Sequence, residues 1–155
     1  MIAWIEGTAL GEWVRVSAFG YPFMITLHSV GLAIMVGLAV AIDLRLLGRF
    51  RTIPFASLRT LFKVAWIGFL INFLSGAALF SSQATTYVTD ITFLLKMAFV
   101  LGGAVTVGYL QTAVARTGDG HGADSVTPFS TRAVAALSIA MWLAAIVTGR
   151  LIAYL

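Results

Sequence analysis

The chain has no cysteine and few charged residues, and each shortage narrows the classes of protein to which it can belong. Among its 155 residues, none is cysteine and only 10% are Asp, Glu, Lys or Arg. The lack of cysteine excludes disulfides, thiolate metal sites, iron–sulfur ligation and covalent attachment of c-type haem. Soluble domains carry roughly 25% charged residues, so little of this chain is suited to water.

The sequence also lacks the common motifs of acid–base and nucleophilic enzymes. It contains no HExxH pair, no phosphate-binding loop, no Ser/His/Asp set and no paired carboxylates. The run GDGHG at 118–122 lacks the strand and helix that a nucleotide loop needs. His121 lies in this run between Asp119 and Asp124, where a solvated loop is favoured over a weak surface metal site.

Apolar residues, in contrast, make up 60% of the chain, against about 45–50% in soluble domains. A domain of this size would leave a large share of its surface exposed, so water could not accommodate that composition. A membrane span needs about 20 mainly apolar residues. The sequence therefore predicts a single all-α integral membrane domain over residues 1–155, a bundle of four transmembrane helices. The predicted spans are 21–47, 60–83, 91–114 and 131–154.

An amphipathic helix is predicted before the first span, over residues 2–18. Glu6, Glu12 and Arg15 interrupt an apolar face on which residues recur at spacings of three or four. This pattern favours an interfacial helix that lies on the membrane, with Trp4 and Trp13 in the headgroup zone. The apolar face comprises Ile2, Ile5, Ala9, Trp13 and Val16.

Three local signals refine this bundle. Small residues at Ala33, Gly37 and Ala41 predict a close-packing face on the first span. Asp90 is placed to cap the third span, since a carboxylate accepts backbone N–H groups at a helix start. At the end of the first span, Asp43 with its neighbouring arginines predicts a charge cluster that fixes the helix end. Those arginines are Arg45 and Arg49.

The basic residues indicate the orientation. They concentrate in the links after the first and third spans, whereas the link after the second span has none. The positive-inside rule then predicts that both termini face away from the cytoplasm, which is the periplasmic side if the membrane is a bacterial inner membrane. The net charge of +4 is thus a topology signal, and we expect the lipid bilayer rather than nucleic acid as the partner.

Three ionisable residues from three spans are predicted to lie in the outer half of the bundle. His28 and Lys96 each lie six or seven residues inside a span, roughly 10 Å deep at 1.5 Å per residue. Arg150 lies near the outer end of the fourth span. Charges inside a span usually face a bundle interior or a cavity. Because no acidic residue of the spans lies at this depth, an anionic ligand is one way to balance them.

Simpler roles are open for each of the three. The side chains of Lys96 and Arg150 are long enough to reach the headgroups, and a single histidine in a span is often only hydrogen-bonded to a neighbouring helix. Met24, one turn before His28, is ordinary apolar packing by default.

Two stretches carry a family resemblance: LHSVGLAIMVGLAVAIDLRLLG at 27–48 and ITFLLKMAFVLG at 91–102. They resemble the HemJ family of small four-helix bacterial membrane proteins, associated with b-type haem and with oxidation of protoporphyrinogen. The helix layout is also similar to CopD-like copper-resistance domains. The resemblance implies His28 as the haem ligand and Lys96 as a partner of porphyrin carboxylates. Where the family tends to have a Pro-Arg-Leu pattern and a further histidine, this chain has IDLRLLG, as does a related bacterial group without an assigned function.

The leading hypothesis is a b-type haem or porphyrin-binding membrane protein of redox or electron-transfer character. His28 would ligate the iron, and Lys96 and Arg150 would hold the propionates. The iron would be five-coordinate, use Met24, or be shared across a homodimer. If the chain is an enzyme, we expect a membrane oxidoreductase.

Two other classes are open. The first binds or transports a quinone, a lipid or a metal such as copper, without haem. The second is a small structural subunit of a larger membrane complex, in which small-residue faces, including Gly102, Gly103 and Gly108, pack against partners.

Overall fold

The computed structural model describes residues 2–50, 52–117, 127–152 and 154, and its regular elements are all α-helices. In chain order these are α1 (Ala3–Glu6), α2 (Ala9–Val16), α3 (Gly20–Leu46), α4 (Phe55–Ser82), α5 (Ala84–Thr89), α6 (Ile91–Thr117) and α7 (Phe129–Leu151). The four helices α3, α4, α6 and α7 are long and apolar enough to cross a membrane. The prediction of an all-α, four-helix transmembrane protein embedded in a bilayer is confirmed. His121 and its neighbouring aspartates lie outside the described residues.

The helix ends differ from the predicted spans where proline sets the boundary. Helix α4 begins at Phe55 rather than at residue 60, because Pro54 has an extended backbone that starts the helix (φ −62°, ψ 145°). Pro128 precedes α7 in the same way. The apolar run marked only the membrane-crossing part of α4, whereas the helix also includes the polar turn before it.

The four long helices form an antiparallel bundle with unequal seams. Packing is most extensive between α3 and α4 and between α6 and α7; α3 also packs against α7. Helices α4 and α6 meet only loosely, and there the Trp66 Nε1–H donates to Gln111 Oε1 over 2.8 Å. We call the end where α3 begins and α7 finishes the termini end. The opposite end, which carries Arg45, Arg49 and Arg116, is the arginine end.

The apolar core lies mainly in the half of the bundle near the arginine end. Its largest fully buried apolar side chains are Trp142, Phe62, Ile42, Leu46, Leu58 and Leu110. Trp142 lies over Gly103 of α6, where a Cβ atom would come within 2.7 Å of the indole ring. Gly103 therefore packs inside the chain. The half near the termini end is left with a more polar interior.

Helices α3 and α4 touch backbone to backbone at two glycines. A Cβ on Gly31 would lie 2.6 Å from the Asn72 backbone nitrogen, and one on Gly68 would lie 2.8 Å from that of Met35. The predicted packing face through Gly37 is wrong for contacts inside the chain, since a Cβ there would meet nothing within 4 Å. A close seam needs small residues on both helices, and only Gly31 has such a partner.

The predicted single helix over 2–18 is divided in two. The side chain of Thr8 accepts a hydrogen bond from the Gly11 nitrogen (3.2 Å) and so caps α2. The buried face of α2, Gly11 and Val14, packs across the ends of α4 and α3. A Cβ on Gly11 would lie 2.6 Å from the Ser81 carbonyl oxygen. The amphipathic segment thus closes the termini end of the bundle, and the indole of Trp4 faces outward.

Two carboxylates organise the link around α5. Glu6 Oε1 accepts hydrogen bonds from the Thr85 nitrogen (2.7 Å) and the Thr85 hydroxyl (2.6 Å), which joins α1 to the start of α5. These bonds from Thr85, with a smaller contribution from the charge of Arg15, hold the pKa of Glu6 below its usual value. Asp90 Oδ1 accepts from the Thr92 nitrogen at 2.8 Å, which confirms the predicted cap of the third span.

The glycine contacts predict opposite outcomes for two alanine substitutions on α3. Gly31→Ala forces a methyl group against the backbone of α4 and is expected to lower the free energy of unfolding by about 1–3 kcal/mol, the usual range for overpacking. Gly37→Ala, with open space around its Cβ, is expected to stay within about 0.5 kcal/mol of the parent. Reversible unfolding in mixed detergent measures both. Equal losses from the two variants would contradict the assigned packing face.

The contact between Glu6 and Thr85 predicts a pH-dependent contribution to stability. Because the pKa of Glu6 is lowered in the folded protein, its contribution is complete above the ordinary value of 4.5 and is lost as the pH falls through the folded value. The parent should therefore have a higher Tm than Glu6→Gln at neutral pH, and the difference should vanish in acid. Glu12→Gln, at an exposed position of α2, is the matched control. A difference that persists unchanged in acid would rule out the ionised contact as its source.

Candidate functional site

A reciprocal pair of hydrogen bonds joins His28 of α3 to Asn72 of α4. The Nδ1 atom of His28 lies 2.9 Å from the Asn72 carbonyl oxygen, and the Asn72 side-chain amide donates to the His28 carbonyl oxygen over 2.9 Å. A carbonyl oxygen can only accept, so Nδ1 carries the hydrogen. The neutral ring is thereby held in one tautomer, and its free lone pair is on Nε2.

Ser75 supports the same ring from one turn further along α4. Its hydroxyl oxygen lies 3.3 Å from His28 Nδ1, while its hydrogen is directed to the Ile71 carbonyl oxygen at 2.6 Å. Ser75 is buried and Asn72 nearly so. Both polar side chains therefore lie inside the seam and orient the imidazole from its Nδ1 edge.

The ring fits against α4 because Gly76 has no side chain. A Cβ there would lie 3.0 Å from His28 Cε1. Gly68, Asn72 and Gly76 recur every four residues, so α4 presents one face of two glycines with an asparagine between them. The prediction from the sequence rested on His28 and did not include this spacing on α4. The spacing of Gly68, Asn72 and Gly76 is the signal from which the partner face of His28 could have been predicted.

Lys96 of α6 extends into the same half of the bundle. Its aliphatic chain crosses α7 at Gly149, where a Cβ would lie 3.6 Å from both Cδ and Cε of Lys96. Its ammonium is near enough to act electrostatically on the His28 ring. The structure thus places a histidine of α3 and a lysine of α6 in the same half of the membrane-crossing part of the fold.

Arg150 lies at the surface of the termini end rather than in its interior. It follows Gly149 in the last turn of α7, and its side chain is exposed. Within the described residues its guanidinium makes no hydrogen bond or ion pair. Met24, one turn before His28, is half-buried. Of the three predicted residues, two lie together and the third is at the surface of the same end.

No carboxylate in the described part of the chain neutralises Lys96. Of the two carboxylates on the helices that precede the first span, Glu6 binds Thr85, and Glu12 is exposed on α2. The described residues also hold no group of three His, Asp or Glu side chains able to bind a metal ion.

The predicted charge cluster at the end of α3 is wrong. Asp43 is 1% exposed, and neither of its carboxylate oxygens is hydrogen-bonded. Arg45 is directed elsewhere: its Nε–H donates to the Ile53 carbonyl oxygen (2.7 Å), and its guanidinium lies 4.6 Å from the Phe55 ring centre. Residues two apart on a helix point in different directions, so sequence proximity did not make an ion pair.

No family model matches the chain, and no curated protein and no solved structure was found to be similar to it.

The hydrogen bonds of His28 predict its tautomer. In protein labelled with ¹⁵N-histidine, the neutral ring of residue 28 should carry its hydrogen on Nδ1, because the Asn72 carbonyl oxygen can only accept. His121→Ala removes the other histidine and assigns the signal. Gly76→Ala should displace the ring and change both nitrogen shifts, whereas Gly108→Ala, with nothing within 4 Å of its Cβ, should leave them unchanged. A neutral ring protonated on Nε2 would contradict the geometry.

Proposed function

We propose that this protein binds a b-type haem or a closely related porphyrin in the half of the bundle nearest its termini, with His28 as the axial ligand. The observation that carries the proposal is the hydrogen bond from His28 Nδ1 to the Asn72 carbonyl oxygen. Histidines that ligate metals almost always donate their other ring N–H to such an acceptor, which fixes the ring and raises its basicity.

The charges around His28 also fit a porphyrin. Haem carries two propionates, and Lys96 has no carboxylate partner within the described residues. Arg150, exposed on the last turn of α7, is available to a carboxylate at the rim. Helix bundles commonly place cofactors between facing helices. The absence of cysteine leaves non-covalent b-type binding as the mode open to this chain.

Haem would supply one-electron redox chemistry, so the proposed role is electron transfer or a membrane oxidoreductase activity. The chain's own contribution is to orient one imidazole, to place a cation beside it and to exclude water with the surrounding helices. The sixth position would be open, taken by Met24 or provided across a homodimer. From the resemblance to small bacterial membrane proteins we propose a bacterial inner membrane as the location, and the distribution of Lys and Arg supports periplasmic termini.

Absorption spectroscopy of the purified protein tests this proposal. Protein made in haem-replete cells should show a Soret band with about one haem per chain, and His28→Ala should abolish it. His121→Ala is the matched control, since the chain has two histidines, and it should keep the band. Lys96→Gln should weaken haem binding about tenfold, because a charge-assisted contact is lost. Arg150→Gln should have a smaller effect.

The same preparation separates the alternatives. A parent protein without a Soret band would overturn the proposal. Recovery of a quinone or lipid that His28→Ala releases would favour binding without haem, and a stoichiometric metal without porphyrin would favour a copper site. Stable co-purification of other membrane proteins, with no cofactor, would favour a structural subunit.

A further inference from the structure

The unsatisfied polar groups of the interior concentrate at the contact between two helices. Within the described residues, four buried side-chain atoms have no hydrogen-bond partner: Asp43 Oδ1 and Oδ2, Ser138 Oγ and Trp142 Nε1. Asp43 belongs to α3, whereas Ser138 and Trp142 belong to one face of α7, and these helices pack together. Buried polar groups are normally paired, so the unpaired groups of Asp43 and Ser138 point to a common missing partner, whereas the Trp142 indole lies against Gly103 of α6.

Asp43 and Ser138 face each other across this contact. The Ser138 hydroxyl is the polar side chain that acts on the Asp43 carboxyl, yet neither group completes a hydrogen bond. Ser138 is 0% exposed and Asp43 is 1% exposed. Because the Asp43 oxygens and the Ser138 hydroxyl are all left without a partner, a bridging water or an added proton would satisfy them.

An ionised Asp43 would be a bare charge in the interior. The nearest arginine on its own helix, Arg45, is directed to Ile53 and Phe55. The cations of the helices packed against it are exposed, namely Arg59 and Lys63 on α4 and Arg132 on α7. An isolated buried carboxylate costs several kcal/mol, whereas a protonated one can donate to the Ser138 hydroxyl.

A cleft opens at the arginine end, one turn of α3 and two turns of α7 away from this pair. It has a volume of about 270 Å³ and is lined by Leu46 of α3, Thr131 of α7 and residues of α6 that include Thr112 and Arg116. Leu46 is one turn beyond Asp43, and Thr131 lies two turns before Ser138. The cleft therefore ends on the same faces of α3 and α7 that hold the buried pair.

We propose that Asp43 and Ser138 form a buried proton-binding site that exchanges with water through the cleft at the arginine end. The proton comes from water in the cleft, forms an O–H bond on Asp43 and is donated to Ser138 Oγ, directly or through one water. This site is fifteen residues from His28 along α3, or about 22 Å, and does not depend on haem binding.

Infrared spectroscopy of protein labelled with ¹³C-carboxyl aspartate tests the proposal directly. At neutral pH the parent should show a protonated carboxylic acid band that Asp43→Asn removes. Asp43→Asn copies the shape of the protonated acid and should fold with an unchanged Tm. Ser138→Ala should shift the band to higher frequency by removing its acceptor, and Ser130→Ala, exposed on the same helix, should not. Should Asp43→Asn fail to fold, the shift in Ser138→Ala assigns the band.

The outcomes are distinct. A parent in which all labelled aspartates are ionised at neutral pH would overturn the proton site. A protonated band that appears only when sodium and potassium are replaced by choline would overturn it in favour of a cation site. Exchange of the band in D₂O tests the route: Thr131→Leu should slow it several-fold relative to Ser130→Leu. Equal rates would overturn the cleft as the entry path.

Discussion

The close approach of α3 and α4 is the constraint on which the rest of the bundle depends. Gly31 and Gly68 let the two backbones touch, and only at that separation can the Asn72 amide reach the His28 carbonyl oxygen. In a bilayer, helices gain little from apolar burial against one another, so packing and interhelical hydrogen bonds must hold them together. The orientation of His28 is a direct product of this seam.

Along the bundle axis the interior changes from apolar to polar. Large side chains such as Phe62 and Trp142 fill the half near the arginine end. Near the termini end, His28, Asn72 and Ser75 occupy the interior, and α2 covers the helix ends. The half near the arginine end is held mainly by apolar packing, whereas the half near the termini end is held by the close α3–α4 seam and its hydrogen bonds.

Much of the fold could be predicted from the sequence, because membrane-spanning helices can be recognised from their apolar composition and their length. Four spans, the cap at Asp90 and the shared level of His28 and Lys96 needed no more than apolar runs and a rise per residue. Two pairings could not be obtained in this way. The small residues around Gly37 looked as suitable as Gly31, and the choice between them depends on the matching glycine of α4. Asp43 and Arg45 looked like an ion pair, but burial against α7 and a turn carbonyl separated them.

The unequal seams also have a consequence for how the chain enters its membrane. Helices α3 and α4 form one hairpin, and α6 and α7 form another, each packed mainly within itself. The first hairpin satisfies His28 and Asn72 internally, so it can insert with these groups already paired. Within the described residues, Asp43 has no hydrogen-bond partner in the first hairpin, and the hydroxyl that acts on it, that of Ser138, belongs to α7. Before the second hairpin packs against the first, the Asp43 side chain lies beside lipid, where a neutral carboxyl costs far less free energy than a charged one. Protonation of Asp43 would therefore favour insertion of the first hairpin.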